Sequence, residues 1–313
     1  MTDRSLVERL LSGDRLALAR VISKIERESG ETQEIVAALY PHTGKALSVG
    51  FTGPPGVGKS SIIAKLIELY RTEAKRVGVV SVDPSSPFSK GAILGDRIRL
   101  SDHFLDPGVF IRSMGSRGHL GGLAGASRLA ALAMEASGME VVIYETVGVG
   151  QGEVEVASAA DTVVLALQPG AGDAVQALKA GVMEIADVFC INKADHPQAR
   201  GAASEVRSML EIGQELDPQP WSPPIIMTRG DTGEGVVELK ETIEKHRSYL
   251  EENGGLEERR RASLKEFVIS WAKDRLEKEM QQRLNREDAE LMRRVYGREI
   301  DPISASEKLF REV

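Results

Sequence analysis

Between an apolar run, Leu47–Thr52, and an amphipathic one lies Gly53-Pro54-Pro55-Gly56-Val57-Gly58-Lys59-Ser60, a G-x-x-x-x-G-K-S loop. A strand that ends in such a loop and restarts as a helix surrounds one anion with backbone N–H groups and the positive end of the helix. Lys59 then reaches the outer phosphates, and the Ser60 hydroxyl is placed for Mg²⁺. Gly53, Pro55, Gly56, Val57, Gly58, Lys59, Ser60 and Ser61 are therefore expected to bind a nucleoside triphosphate. A glycine-rich turn can satisfy the pattern by accident, but Ile62, Ile63, Leu66, Ile67 and Tyr70 recur at helical spacing after it, as the motif requires.

With 313 residues, 42% hydrophobic and only 4% aromatic, the chain can bury one substantial core and carry small appendages. Its net charge is -7, with basic and acidic residues intermixed, which argues against a nucleic-acid partner. The single cysteine, Cys190, lies within Val188-Phe189-Cys190-Ile191 and reads as a packed strand residue. The start, Met1-Thr2-Asp3-Arg4-Ser5, lacks the apolar core of a signal peptide, and no apolar run approaches the roughly 20 residues of a membrane span. A cytoplasmic protein without a membrane partner is expected.

Residues 1–45 read as a helical extension, with Leu6, Val7, Leu10 and Leu11, then Leu18, Val21, Ile22 and Ile25, at three- and four-residue steps. Tyr40-Pro41-His42-Thr43-Gly44 closes it. Over 46–255, short apolar runs alternate with helical stretches: Leu47–Thr52, Val77–Val82, Val109–Arg112, Val141–Glu145, Thr162–Leu167, Val188–Asn192 and Ile225–Thr228. This is the pattern of an α/β domain with a mostly parallel seven-stranded sheet between helices. Over 256–313 the strand pattern stops, and Leu264, Phe267, Val268, Trp271, Leu276, Met280, Leu284, Leu291, Met292 and Val295 mark charged amphipathic helices. Their apolar face either folds back on the sheet domain or joins a second copy of the chain. The basic run Arg259-Arg260-Arg261 reads as solvated helix surface.

In a parallel sheet the ligand sits beyond the carboxyl ends of the strands. After the fourth run stands Glu145-Thr146-Val147-Gly148, where Glu145 could hold Mg²⁺ and Gly148 could offer its N–H to a γ-phosphate; a lone Glu at a strand end is also a common surface residue. Asp83 and Asp96 are further carboxylates for metal or water, although Asp83-Pro84-Ser85-Ser86 is also ordinary turn chemistry. Asn192-Lys193-Ala194-Asp195 follows the sixth run. Asp195 can accept both N–H groups on the Watson–Crick edge of guanine, Lys193 can pack on the base, and Asn192 can tie the loop together, which favours GTP over ATP. Thr228 and Arg229, in Thr228-Arg229-Gly230, are expected to complete the base site through their backbone. The five histidines, His42, His103, His119, His196 and His246, are too dispersed for a zinc or nickel site.

These residues resemble the MeaB-like GTPase chaperones of adenosylcobalamin-dependent acyl-CoA mutases, formerly described as arginine/ornithine transport-system kinases. The resemblance runs over Gly53–Ser60, Val82–Ser86, Ile93–Asp96, Arg117–Gly122, Glu145–Gln151, Pro169–Asp173, Asn192–Asp195 and the tail Asp301–Ala305. It implies a P-loop NTPase fold and a GTPase, binding GTP and GDP with Mg²⁺, that protects and gates cobalamin loading of a mutase, above all methylmalonyl-CoA mutase. It further implies that Ser60, Asp83, Asp96 and Glu145 surround the metal, that Lys59 binds phosphate, and that the C-terminal helices form a homodimer. Nucleotide-responsive loops are implied at Asp83–Asp96, Gly148–Glu153 and Gly170–Lys179. Val149 stands where many small GTPases have a water-orienting glutamine, so slow intrinsic hydrolysis is expected. The alternatives are a GTPase that inserts a metal into another enzyme, or a scaffold whose bound nucleotide, and not its turnover, controls a partner.

Overall fold

The computed structural model describes residues 3–27, 29–83, 100–115, 120–146, 148, 159–170, 182–286 and 289–311. The chain divides into two compact units, Met1–Ser263 and Leu264–Val313. In chain order the first unit contains helices α1 (Asp3–Leu11), α2 (Arg15–Glu26) and α3 (Thr32–Leu39), then strand β1 (Leu47–Thr52) and helix α4 (Lys59–Thr72). Next come β2 (Val77–Asp83), β3 (Val109–Gly115), α5 (Leu120–Ala136), β4 (Val141–Thr146), β5 (Thr162–Leu167) and β6 (Val188–Ile191). Helix α6 (Ala199–Leu216), β7 (Ile225–Met227) and α7 (Val236–Glu252) follow. Helix α8 (Gly255–Arg286) begins in the first unit and runs into the second, which also holds α9 (Ala289–Tyr296) and α10 (Pro302–Arg311).

The seven strands form one sheet in the order β3-β2-β4-β1-β5-β6-β7, and every pairing is parallel. The seven expected runs are the seven strands. Three of them, β2, β3 and β4, extend further than their apolar runs: Asp83 pairs with Gly115, Met114 with Val82, and Thr146 with Val82 from the other side. Conversely, β6 stops at Ile191 and β7 at Met227, each one residue short of its run; the Asn192 N–H still donates to the Leu167 carbonyl at 2.8 Å before Lys193 adopts a left-handed φ of 57°.

Alternation assigns the strand residues to two faces. Val164, Val188 and Cys190 join Phe51, Ile62, Leu66, Leu239 and Ile243 in a core under α4 and α7. Their neighbours Leu165, Leu167, Phe189 and Ile191 point the other way, toward Ala203 and Val206 of α6. Both faces are thus buried, which is why these strands read as unbroken apolar runs. Burial of a side chain such as Phe51 or Phe189 contributes about 2 kcal/mol relative to exposure. Within this core the Cys190 thiol is pushed up to about 12 by burial, so it packs as a small apolar group.

The N-terminal helices are held to this domain. Asp14 caps α2 by accepting from the Leu16 and Ala17 N–H groups. Arg112 of β3 donates to Glu26 at 2.7 Å and to Ser23 at 3.1 Å, both on α2. Among the described residues no helix is long and apolar enough to cross a membrane.

At the amino ends of the strands the structure corrects the reading of Arg259-Arg260-Arg261 as solvated surface. Arg260 donates to Asp161 at 2.7 and 2.8 Å, and to the carbonyls of Gly44 at 2.6 Å and Ala46 at 3.0 Å. Arg247 of α7 reaches the same buried carboxylate at 2.7 Å. Arg259 pairs with Asp187 at 2.8 Å, and only Arg261 is solvated. The run looked solvent-facing because its partners, the acids that precede β5 and β6, are distant in sequence. Asp161→Asn should lower the unfolding free energy by about 2 kcal/mol, since both guanidinium groups lose a buried counter-charge. Urea denaturation measures this.

His246 lies beside this network, 1% exposed, with Nδ1 2.9 Å from the Thr162 hydroxyl and Nε2 3.5 Å from Asp187. Burial lowers its pKa from the ordinary 6.5 despite the carboxylates of Asp187 and Asp161. A histidine kept neutral by the fold contributes stability that is present above its unfolded pKa and is lost as pH falls below it. Unfolding free energy should therefore decline as pH drops below about 6.5, and His246→Asn should flatten that decline in the same urea titrations.

Candidate nucleotide site

Because β1 is the central strand, its loop opens between the ends of β4 on one side and of β5 and β6 on the other. Gly53 leaves the strand at a φ of 143°, and a Cβ there would drive into the Ala166 carbonyl oxygen on β5. Gly58 precedes α4 at a φ of 94°, in the left-handed region, with the Asn192 amide against the spot a Cβ would fill. These two glycines let the loop curl tightly around the start of α4. Val57 is buried beneath it, while Pro55, Gly56 and Ser61 are exposed.

Lys59 is buried and donates to the carbonyls of Gly53 at 2.6 Å and Pro54 at 2.9 Å, so its ammonium lies over the loop it belongs to. The neighbouring Ser60 hydroxyl donates to Glu145 Oε1. Register explains the meeting: Phe51 of β1 stands opposite Glu145 of β4, and α4 returns over them. Glu145 is 3% exposed and Ser60 4%. A hydroxyl and a carboxylate, both hard oxygen donors brought together at the first turn of a phosphate loop, suit Mg²⁺. One residue on, Thr146 donates to the Phe51 carbonyl at 3.2 Å and to the Gly148 carbonyl at 3.3 Å, and Thr52 donates to that same Gly148 oxygen at 3.2 Å. Gly148 is thereby held beside the loop. Asp83 ends β2, on the far side of β4, with its backbone paired to Gly115. Asp96, the Asp83–Asp96 loop beyond Asp83 itself, residues 149–153 and residues 171–179 lie outside the described residues.

At the other end, Asn192 joins three segments. Its Nδ2 donates to the Val57 carbonyl at 2.7 Å, and its Oδ1 accepts from the Gly230 N–H at 2.9 Å and the Thr228 hydroxyl at 3.2 Å. Lys193 Nζ donates to the Gly56 carbonyl at 3.2 Å and to Gln168 Oε1. The lysine stem is thus drawn along the phosphate loop, where a base would lie against it. Asp195 is exposed, 3.6 Å from Arg229 Nε. The residues on the loop after β7 turn their own N–H groups inward, that of Thr228 to Ile191 and that of Arg229 to Glu234, both at 2.9 Å.

Residues 18–285 match the family described as methylmalonyl-CoA mutase-associated GTPase MeaB. The chain belongs to the MeaB family of GTPases. A Pyrococcus abyssi protein assigned as a GTPase is 45% identical over 98% of this chain and 96% of its own length. GTPase ArgK of Escherichia coli is 35% identical, over 88% of this chain and 83% of its own. A mouse mitochondrial protein, the methylmalonic aciduria type A homolog, is 32% identical over 83% of this chain and 66% of its own length. Among solved structures, an LAO/AO transport system kinase shares 26% identity and a TM-score of 0.69, covering 99% of this chain and 98% of that one. The MeaB fold is accordingly a P-loop NTPase sheet with flanking helices.

Three residues of the site escaped the sequence reading. Gln168 follows β5 directly, so the rule of inspecting strand ends applied to it, yet an amide next to Pro169 carries no motif. Thr52 and Thr146 are strand-end residues whose role appears only once β1 and β4 are paired. Gly53→Ala should place a methyl group against Ala166 and weaken binding of a fluorescent GDP analogue by at least roughly tenfold, as a titration would show.

Proposed function

We propose that the chain is a Mg²⁺-dependent GTPase that serves an adenosylcobalamin-dependent acyl-CoA mutase as a chaperone, protecting the mutase and gating its loading with cobalamin. The observation that carries the nucleotide half is the Asn192–Asp195 segment, bound through Asn192 and Lys193 to the phosphate loop. Support for the mutase half comes from the family description and from the mouse relative's name. In this reading Gly53, Pro55, Gly56, Val57, Gly58, Lys59, Ser60, Ser61 and Gly148 surround the phosphates, and Asn192, Lys193, Asp195, Thr228 and Arg229 surround the base.

Lys59 would exchange its carbonyl partners for the β- and γ-phosphates, bringing its charge to the oxygens that become more negative during transfer. Ser60 would turn from Glu145 toward the metal, and Glu145 would hold the metal directly or through water. A Mg²⁺ held by Ser60 and Glu145 would supply charge neutralisation to the phosphate oxygens. Asp83 and Asp96 are the further carboxylates assigned to metal or water, and Gly148 offers its N–H to the γ-phosphate. With Val149 at the water-orienting position, hydrolysis is slow until a partner completes the site.

A second copy of the chain is the proposed occupant of the C-terminal unit's apolar side chains. Met292, Tyr296, Ile303 and Phe310 are all exposed there. The proposed location of the pair is the cytoplasm.

Lys59→Ala should reduce GTP turnover to background while the protein stays folded, measured by phosphate release and circular dichroism. Mixing the chain with apo and cobalamin-loaded methylmalonyl-CoA mutase should give a complex whose stability differs between GDP and a non-hydrolysable GTP analogue, read by analytical ultracentrifugation. Absence of a complex with any acyl-CoA mutase would remove the chaperone role and leave the GTPase standing.

A further inference from the structure

The loop after β7 spends its main-chain donors inside the protein. Thr228 N–H goes to Ile191, Arg229 N–H to Glu234 and Gly230 N–H to the Asn192 side chain, each at 2.9 Å. Groups committed in this way have little to offer a base. The Arg229 side chain is placed differently. Its Nη2 donates to Asp231 at 3.2 Å, and its Nη1 faces Glu234 at 3.9 Å, so its outer edge is hydrogen-bonded to one acid and lies near a second. Its inner edge presents Nε toward Asp195 Oδ1 at 3.6 Å, beyond hydrogen-bond range. That Nε is buried and has no hydrogen-bond partner. A buried donor aimed at a binding site without an acceptor of its own calls for one from a ligand.

Guanine has such an acceptor in the right order. Along its Watson–Crick edge the 2-amino group, N1–H and the 6-oxo oxygen follow one another, so a carboxylate that accepts from the first two leaves the oxygen as the next atom along. We propose that Arg229 donates through Nε to the 6-oxo oxygen of the purine that Asp195 reads, which makes its guanidinium a second specificity determinant of the base site. This rests on the guanine reading and deepens it. Adenine places an amino group at that position, so donor would face donor, and rejection would come from Arg229 as well as from Asp195. Asp231 and Glu234 act as positioning residues that fix the guanidinium plane.

The test removes one atom from the ligand. GDP and 2-aminopurine riboside diphosphate, which lacks only the 6-oxo group and its N1 proton, are titrated calorimetrically against wild type, Arg229→Ala, Arg229→Lys and Asp195→Ala. Because the analogue also removes the N1 proton, 6-thio-GDP, which keeps that proton and replaces the oxygen with a weaker acceptor, is included as a second probe. Wild type should lose roughly tenfold or more in affinity from GDP to 6-thio-GDP, and more to the 2-aminopurine compound. In Arg229→Ala the GDP to 6-thio-GDP ratio should collapse toward one, with Arg229→Lys between the two, whereas Asp195→Ala should keep that ratio. If Arg229→Ala weakens both ligands equally and retains the wild-type ratio, Arg229 only shapes the loop and the inference fails. Should Arg229→Ala not fold, the Lys variant carries the same comparison. Wild type showing no preference for GDP over ADP would overturn the guanine reading itself, an outcome visible without any variant.

Discussion

The Asn192 amide donates to the Val57 carbonyl and accepts from Gly230 and Thr228, so one buried side chain ties the phosphate loop to the loop that closes the base end. Without it the two halves of the site would be joined, apart from the sheet, through the exposed Lys193 side chain on the Gly56 carbonyl. Asn suits the position because it offers a donor and an acceptor on one short, rigid group, which neither Asp nor Leu could do. Its burial makes each of these bonds worth keeping, since a buried amide or carbonyl left unsatisfied costs about 1–3 kcal/mol. The contact also requires Gly58, where a Cβ would occupy the space of that amide.

The sheet decides what Asn192 can reach. With β1 central and all neighbours parallel, the ends of β4, β5 and β6 converge on one edge around the phosphate loop. Glu145 arrives from one side and Asn192 from the other, each one residue from where its ladder stops. At the phosphate end, Lys59 and Ser60 are bonded to the protein's own oxygens, Gly53, Pro54 and Glu145. These bonds resemble those a phosphate and a cation would take over, so on binding Lys59 and Ser60 would exchange one set of oxygen partners for another and not lose their partners. The opposite edge of the sheet does structural work, with Asp161 and Asp187 anchoring α7 and the first turns of α8.

Much of this was legible in the sequence because it is local. The seven strands appear as apolar runs since both sheet faces are covered, and the phosphate loop declares itself by glycine spacing. What was not legible depends on pairing between distant segments. Arg259 and Arg260 have the composition of solvent-facing helix, and only the fold brings them to Asp187 and Asp161. Likewise, Gln168 and Thr52 belong to no motif, and Thr146, though it lies within Glu145-Thr146-Val147-Gly148, shows its hold on Gly148 only once β1 and β4 are paired. The Arg229 side chain was passed over for its backbone, because the commitment of the loop's N–H groups to Ile191, Glu234 and Asn192 is a three-dimensional fact. Asp83 shows the intermediate case, where the sequence names a residue and the sheet fixes its strand position.

The central claim is that this edge of the sheet binds a guanine nucleotide with its base against Lys193 and Asp195. Calorimetric titration of the intact chain with GDP and with ADP, each with Mg²⁺, tests it most directly. The account predicts that GDP binds at least roughly a hundredfold more tightly, as expected where paired polar groups read a base edge. Equal affinities would contradict it.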